Sequence, residues 1–387
     1  MQKNLRIQFP VYIKISLTLM SIALIWVFLV QTADLLIPIA FSLVFALLLH
    51  PLCARLERWR IPRAAAIFIC LIVLMTVIAG ILFFIISQLT DLSGIVPDLQ
   101  KKFLTIFNDA QIWFREQFGV RKKVQADWIQ KNAQGMTASG GQVVGSLLST
   151  ATNAFTNLGL APVYIFFLLY YRNFLQNFLF RVFKSTSNDH IHVILVKIRD
   201  VVLNYVVGLL LVMAIIATLN TVGLLVLDIE YAFFFGVLAA LLNIIPYIGI
   251  FIGSIFPILM ALLTKDSLWY AVGVAGVFGT VQFLEGNFIT PKIVGSKVSV
   301  NALAAVVSLI LGGLLWGASG LILAIPFTAI IKVVFDNVPG LEAFGYLLGE
   351  VAAHDLKPQK TIVDDVEEEV VELAEEVKDA LTGGGGK

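Results

Sequence analysis

Apolar residues run through this chain in long unbroken blocks, and charge closes each block. Ile15 to Leu49 carries a single charge, Asp34, inside the stretch VQTADLLIP, so the pattern predicts two helices folded at that turn. Ala64 to Ile86 carries none, and further apolar blocks follow at Phe155 to Tyr171 and Val201 to Leu227. A hydrocarbon core about 30 Å thick takes roughly 20 helical residues to cross. Lipid offers no partner for backbone polar groups, and these blocks do not alternate as barrel strands would, so they read as helices. The expected fold class is an all-α polytopic membrane protein with about eight transmembrane helices.

Two blocks are too long for one upright crossing. Ala232 to Thr264 is uncharged throughout, and as one helix it would run about 50 Å at 1.5 Å per residue. Within it, LLNIIPYIGIFIGSIFPI sets Pro246, Gly249, Gly253 and Pro257 where each weakens regular helix. The pattern predicts two short arms joined near Pro246 to Gly249, a re-entrant hairpin. Val298 to Ile331 is likewise uncharged and is broken by Gly312, Gly313, Gly317, Gly320 and Pro326; it either folds at Gly317 into a pair of short helices or crosses once, which would set Lys265 inside and the TPKIVGSK turn outside. Paired interrupted segments point to a transport site, because unwound backbone at membrane depth is tolerated where protein or a water-filled cavity surrounds it.

Between the blocks the pattern changes. In LQKKFLTIFNDAQIWFREQF, apolar Leu99, Phe103, Ile106, Phe107, Ala110 and Phe114 recur at helical spacing among charges, as in a packed or interfacial amphipathic insert. The tail IVDDVEEEVVELAEEVKDAL steps by three and four through Val363, Val366, Val370, Leu373, Val377 and Ala380, a short heptad pattern with acids on the other faces. The organisation expected is three transmembrane helices in 1–87, an extracytoplasmic helical insert in 88–153, a transport core with broken helices in 154–335, and a cytoplasmic acidic helical tail in 336–387.

Composition agrees with a membrane protein: 59% of residues are hydrophobic, 14% are charged and the mean hydropathy is +0.91. A net charge of +1 conceals an asymmetry. From Thr361 onward there are nine acids and two lysines, so the remainder is basic. Arg55, Arg58, Arg60 and Arg63 close one loop, and Arg172, Arg181, Lys184, Lys197 and Arg199 fall in another. The bias of basic loops toward the cytoplasm places both there together with the amino terminus. The basic residues lack the interleaved pattern of a nucleic-acid surface. Cys53 and Cys70 offer neither a disulfide framework nor a metal site, and the histidines of DHIH have no cysteine partners. No phosphate loop and no nucleophile–base constellation occurs, so neither an enzyme nor a cofactor is expected.

The chemistry concentrates in QFLEGNFITPKIVG, which follows an apolar block. An acid within a membrane segment is costly when ionised, so Glu285 is expected to face a cavity or a partner, where a carboxylate can hold a proton or a cation in turn. The alternative is a structural acid near the membrane boundary, paired with Lys292 or an amide. Gln282 lies three residues earlier on nearly the same helical face. Asn287 and Asn243 are further amide candidates, for a cargo or for plain interhelical bonding. Pro246 and Gly249 expose backbone at the break, Tyr247 stands beside them as a gate or as packing, and Pro291 ends the motif.

LLNIIPYIGIFIGSIFP, then QFLEGNFITPKIVG, then NALAAVVSLILGGLLWGASGLILAIP, preceded by NYVVGLL, resembles in order the autoinducer-2 exporter family of bacterial membrane transporters. The resemblance covers most of Asn204 to Lys332 and excludes the tail. It implies about eight crossings, residence in the bacterial inner membrane, and a homo-oligomer, for which a pentamer is one plausible arrangement. It does not fix the cargo: some members are linked to export of autoinducer-2, a small polar furanone, and others resemble sodium or lithium exchangers for protons. The function expected is therefore export of a small polar organic solute. The alternatives are a sodium or lithium/proton antiporter using Glu285, and a membrane scaffold in which the insert and tail recruit proteins.

Overall fold

A computed structural model describes residues 10–118, 158–183, 187–244, 248–295 and 299–350, with most side chains of 92–118 left out. The described residues are helical, without strands. Helix α1 spans Val11–Gln31 and α2 spans Ala33–Arg58, divided at Thr32 beside Asp34, where the pattern predicted a turn. Helix α3, Arg63–Phe118, is one continuous helix. After a 3₁₀ turn at Leu158–Leu160 come α4, Ala161–Tyr170, and α5, Arg172–Val182, then α6, Asn188–Val226. Helices α7, Ala232–Leu242, α8, Ile248–Thr264, and α9, Leu268–Leu284, follow. Two π-helical turns, Glu285–Ile289 and Pro291–Gly295, extend α9 before α10, Ala302–Asn337, and α11, Glu342–Leu348.

Six of these helices are long and apolar enough to cross a bilayer: α1, α2, the Arg63–Asp91 part of α3, α6, α9 with its π-helical extension, and α10. Helix α10 is itself folded. Trp316 and Gly317 leave helical geometry, and Gly317 takes φ +58°, ψ −134°, a conformation that side-chain-bearing residues avoid. The arms on either side are antiparallel, since Thr328 Oγ1 donates to Ser308 Oγ at 2.7 Å. The two arms of α10 are separate apolar passages, and the ten-residue α4 is a further apolar helix shorter than a full crossing. Replacing Gly317 with Ala is expected to destabilise the fold by about 1–3 kcal/mol, read as a lower midpoint of thermal unfolding in detergent; an unchanged midpoint would show that the bend does not depend on the glycine.

The first interrupted block is also a hairpin. Helices α7 and α8 run antiparallel, with Gly253 against Ala239 and Gly249 against the Leu242 backbone. Lys265 Nζ donates to Asp228 Oδ2 at 2.6 Å, so residues just outside the two ends of the hairpin meet at the same end of the bundle. That hydrogen bond holds the Asp228 carboxyl below its ordinary range and pushes the Lys265 ammonium up. A carboxylate lowered in the folded state adds stability that is present above the ordinary carboxylate range and is lost as pH falls through its lowered titration. Wild type and Asp228→Asn are therefore expected to differ slightly in thermal unfolding at neutral pH and to converge in acid.

The opposite end of the bundle is the basic one. Arg172 Nη2 donates to Glu57 Oε2 at 2.5 Å, and Arg63 donates to the Tyr170 carbonyl and to Asn173 Oδ1, each at 3.2 Å. These bonds tie the α2–α3 turn to the α4–α5 turn. Cys53 and Cys70 lie beneath them as buried free thiols in one apolar cluster. At the same end Lys197 Nζ donates to Asn337 Oδ1 at 2.9 Å, joining the start of α6 to the close of α10. The largest buried cluster gathers Leu224, Phe234, Phe235, Met260, Val274 and Phe278, and so packs the α7–α8 hairpin between α6 and α9.

Candidate functional site

The tip of the α7–α8 hairpin ends beside the acid. Asn243, which closes α7, turns Nδ2 toward Glu285 and donates to Oε1 at 2.8 Å. Thr290 Oγ1 lies 3.5 Å from the same oxygen. Helix α9 runs antiparallel to α6 along a strip in which Leu227 meets Gly273, Val277 meets Gly223, and Ile293 meets Gly208. Residues 273, 277, 281, 285, 289 and 293 thus succeed one another in steps of four. An α-helix turns once every 3.6 residues, so a strict step of four drifts about 40° each time. The wider π-helical turns after Leu284 slow that drift and keep Ile289 and Ile293 packed on α6.

Around Glu285 lies a small cavity lined by Ile216, Asn220, Ala239, Asn243, Phe278, Val281, Gln282 and the acid itself. Its volume is about 10 Å³, near the minimum that holds one water. The α6 residues at this level, Ile216 and Asn220, stand roughly 28 Å along the helix from Arg199 and roughly 15 Å from Asp228, at 1.5 Å per residue. The acid therefore sits inside the apolar thickness and away from either boundary. Its hydrogen bonds come from an amide and a hydroxyl. Such donors hold a carboxyl in place without bringing a charge of their own.

The structure brings together three of the residues singled out from sequence, Asn243, Gln282 and Glu285, and sets Gly249 close behind them against Leu242. Asn287 does not join them: its side chain is exposed and donates to the Phe283 carbonyl of its own helix at 2.9 Å. Pro291 is exposed as well. Pro246 and Tyr247 lie outside the described residues, as do Lys297, residues 119–153 of the insert and residues 351–387 of the acidic tail. Asn220 is a polar pocket residue to which the sequence assigns no role, because one amide in a long apolar helix is not distinguished by spacing.

A larger groove of about 430 Å³ lies between α2, α4 and α5, lined by Ile39, Tyr164, Phe167, Leu168, Tyr171, Phe174 and Leu175. Its lining offers no carboxylate or amide, as suits an apolar chain better than a polar solute. Among the described residues no group of three or more His, Cys, Asp or Glu is placed to hold a metal ion.

Comparison with known proteins places this geometry in context. The model of the AI-2E family transporter matches residues 15–340. The AI-2 transport protein TqsA of Escherichia coli K12 is 26% identical over 321 residues, covering 82% of this chain and 90% of that protein. YueF of Bacillus subtilis, a candidate transport protein, is 25% identical over 321 residues, covering 80% of this chain and 86% of its own length. A candidate transport protein of Haemophilus influenzae is 25% identical over 347 residues, covering 86% and 96%.

Proposed function

Because the chain belongs to the AI-2E transporter family, we propose that it is a secondary transporter that exports a small polar organic solute across the bacterial inner membrane, with Glu285 taking up and releasing the coupling proton. The observation that carries this reading is the bond from Asn243, at the tip of an interrupted hairpin, to a carboxylate at membrane depth. An acid so placed is costly unless it serves an ion or a substrate, and the interrupted segment supplies the polar groups that a site at this depth needs. The name of the Escherichia coli relative favours autoinducer-2 as the first cargo to try. The bias of basic loops orients the arginine-rich end toward the cytoplasm, so the α7–α8 hairpin enters from outside. A homo-oligomer fits the exposed apolar surface of α1, which buries none of its own residues.

A second reading, sodium or lithium exchange for protons, is favoured by the volume of the pocket. About 10 Å³ beside Glu285 accommodates a water or a bare monovalent cation and no furanone. The two readings separate in liposomes that contain the purified full chain and an internal pH indicator. Proton movement on adding autoinducer-2, with none on adding sodium or lithium, supports solute export. Proton movement on adding either cation alone supports exchange. Tightly sealed, correctly inserted preparations that respond to neither would remove Glu285 from both roles.

A further inference from the structure

Asn220 stands out among the residues that the proposed mechanism does not yet use. It is 3% exposed, in the second half of α6, and its Oδ1 atom is buried without a hydrogen-bond partner among the described residues. Buried polar atoms are almost always satisfied by protein or by ordered water, so an unsatisfied one calls for a physical reason. Here the side chain lines the cavity beside Glu285. The bonds to the acid from Asn243 and Thr290 both go to Oε1. Glu285 and Asn220, the latter with an unsatisfied buried carbonyl oxygen, thus line one cavity of about 10 Å³.

A carboxyl group and an unsatisfied amide oxygen on residues that line a space of that size define the chemistry of what fits. A carbonyl solute or an anion would bring a third acceptor and be repelled. A species of water size that donates hydrogen bonds or carries positive charge would satisfy both oxygens at once. We propose that Asn220 and Glu285 together bind one such species, a water or hydronium or else a bare alkali cation, and that Asn220 is a positioning residue that holds it against the acid. The role in coupling rests on the reading of Glu285 given above, whereas the binding site rests on the cavity and the unsatisfied carbonyl.

The test is a cryo-electron microscopy structure of the full chain in lipid nanodiscs, at a resolution that shows buried waters elsewhere in the protein, in sodium chloride and again in choline chloride. The expected result is a density within hydrogen-bonding distance of both Asn220 Oδ1 and Glu285. Its persistence in choline identifies water or hydronium, and its loss identifies sodium. Asn220→Leu, which keeps the side chain's size, should remove the density while the helices around it stay in place. In liposomes the Leu variant should lose coupled flux at least tenfold, and Asn220→Asp, which retains the oxygen and adds a charge, should keep flux with its pH profile displaced upward. A purely structural Asn220 would lower the unfolding midpoint of both variants and leave that profile where it is. An empty cavity in well-resolved wild-type maps, or a density that touches Glu285 but not Asn220, overturns the inference. Wild-type flux in Glu285→Gln would instead overturn the coupling role and leave the density result to decide the site.

Discussion

Glu285→Gln is expected to lower coupled flux by at least about tenfold, within the 5- to 150-fold span that coupling free energies of 1–3 kcal/mol represent. The amide has the shape of the carboxyl it replaces. Its oxygen can still accept from Asn243 Nδ2, so the hairpin tip stays docked and the unfolding midpoint should hardly change. What the variant loses is a group that can carry either a proton or a negative charge. The measurement is the initial rate of flux driven by an imposed pH difference, per amount of folded protein in the membrane. A rate like that of wild type, with the same dependence on the pH difference, would show that the acid is structural. Glu285→Asp provides an internal comparison: it keeps the charge but shortens the arm by one methylene, which weakens the reach to Asn243.

Gly253→Val carries the second large effect, and it acts through packing. A Cβ at Gly253 would lie 2.9 Å from both Cα and Cβ of Ala239, on the facing arm of the same hairpin. Real side chains do not approach so closely, and one of the two atoms is backbone, so relief requires the arms to part. Overpacking of this kind costs about 1–3 kcal/mol, and a branched side chain against backbone belongs at the upper end. Parting the arms also withdraws Asn243 from Glu285, so flux should fall together with the unfolding midpoint. Gly276 supplies the control. It is exposed, with nothing within 4 Å of a Cβ built there, so Gly276→Val should leave both quantities nearly unchanged. Equal behaviour of the two valine variants would mean that close contact between the arms does not position the tip.

These two predictions draw on features of unequal visibility in the sequence. The hairpin was legible because the apolar block is too long for one crossing and carries Pro246 near its centre, although Gly249 and Gly253, also read as breaks, lie inside α8 and serve its packing against α7. The bend at Gly317 was legible for the same reason. Gln282 and Glu285 were placed on one face by helical spacing, and both line the cavity. The depth of Glu285 was not legible. It depends on the register of α9 against α6 and on how far the hairpin tip reaches, and tertiary packing sets both. Asn287 shows the limit from the other side: two residues beyond Glu285 it carries the same kind of amide as Asn243, yet it points away and bonds its own helix. The π-helical turns were equally hidden, since sequence spacing is read at 3.6 residues per turn and the chain there winds more loosely.

Helix α3 carries a mechanical consequence. Of its 56 residues, only Arg63–Asp91 form the apolar span, and the helix continues without interruption to Phe118. The remainder extends about 40 Å past the bilayer at 1.5 Å per residue. Because hydrogen bonding runs unbroken from one part to the other, tilt of the buried part is carried into the exposed part. A tilt of only 5° would sweep the far end through about 3.5 Å over that length. The helix thus joins an apolar span packed against α2, α4 and the hairpin to an extension of nearly equal length. Force applied to the extension by a bound protein or a neighbouring copy would be carried along the unbroken helix into the packed span, and so toward the transport core.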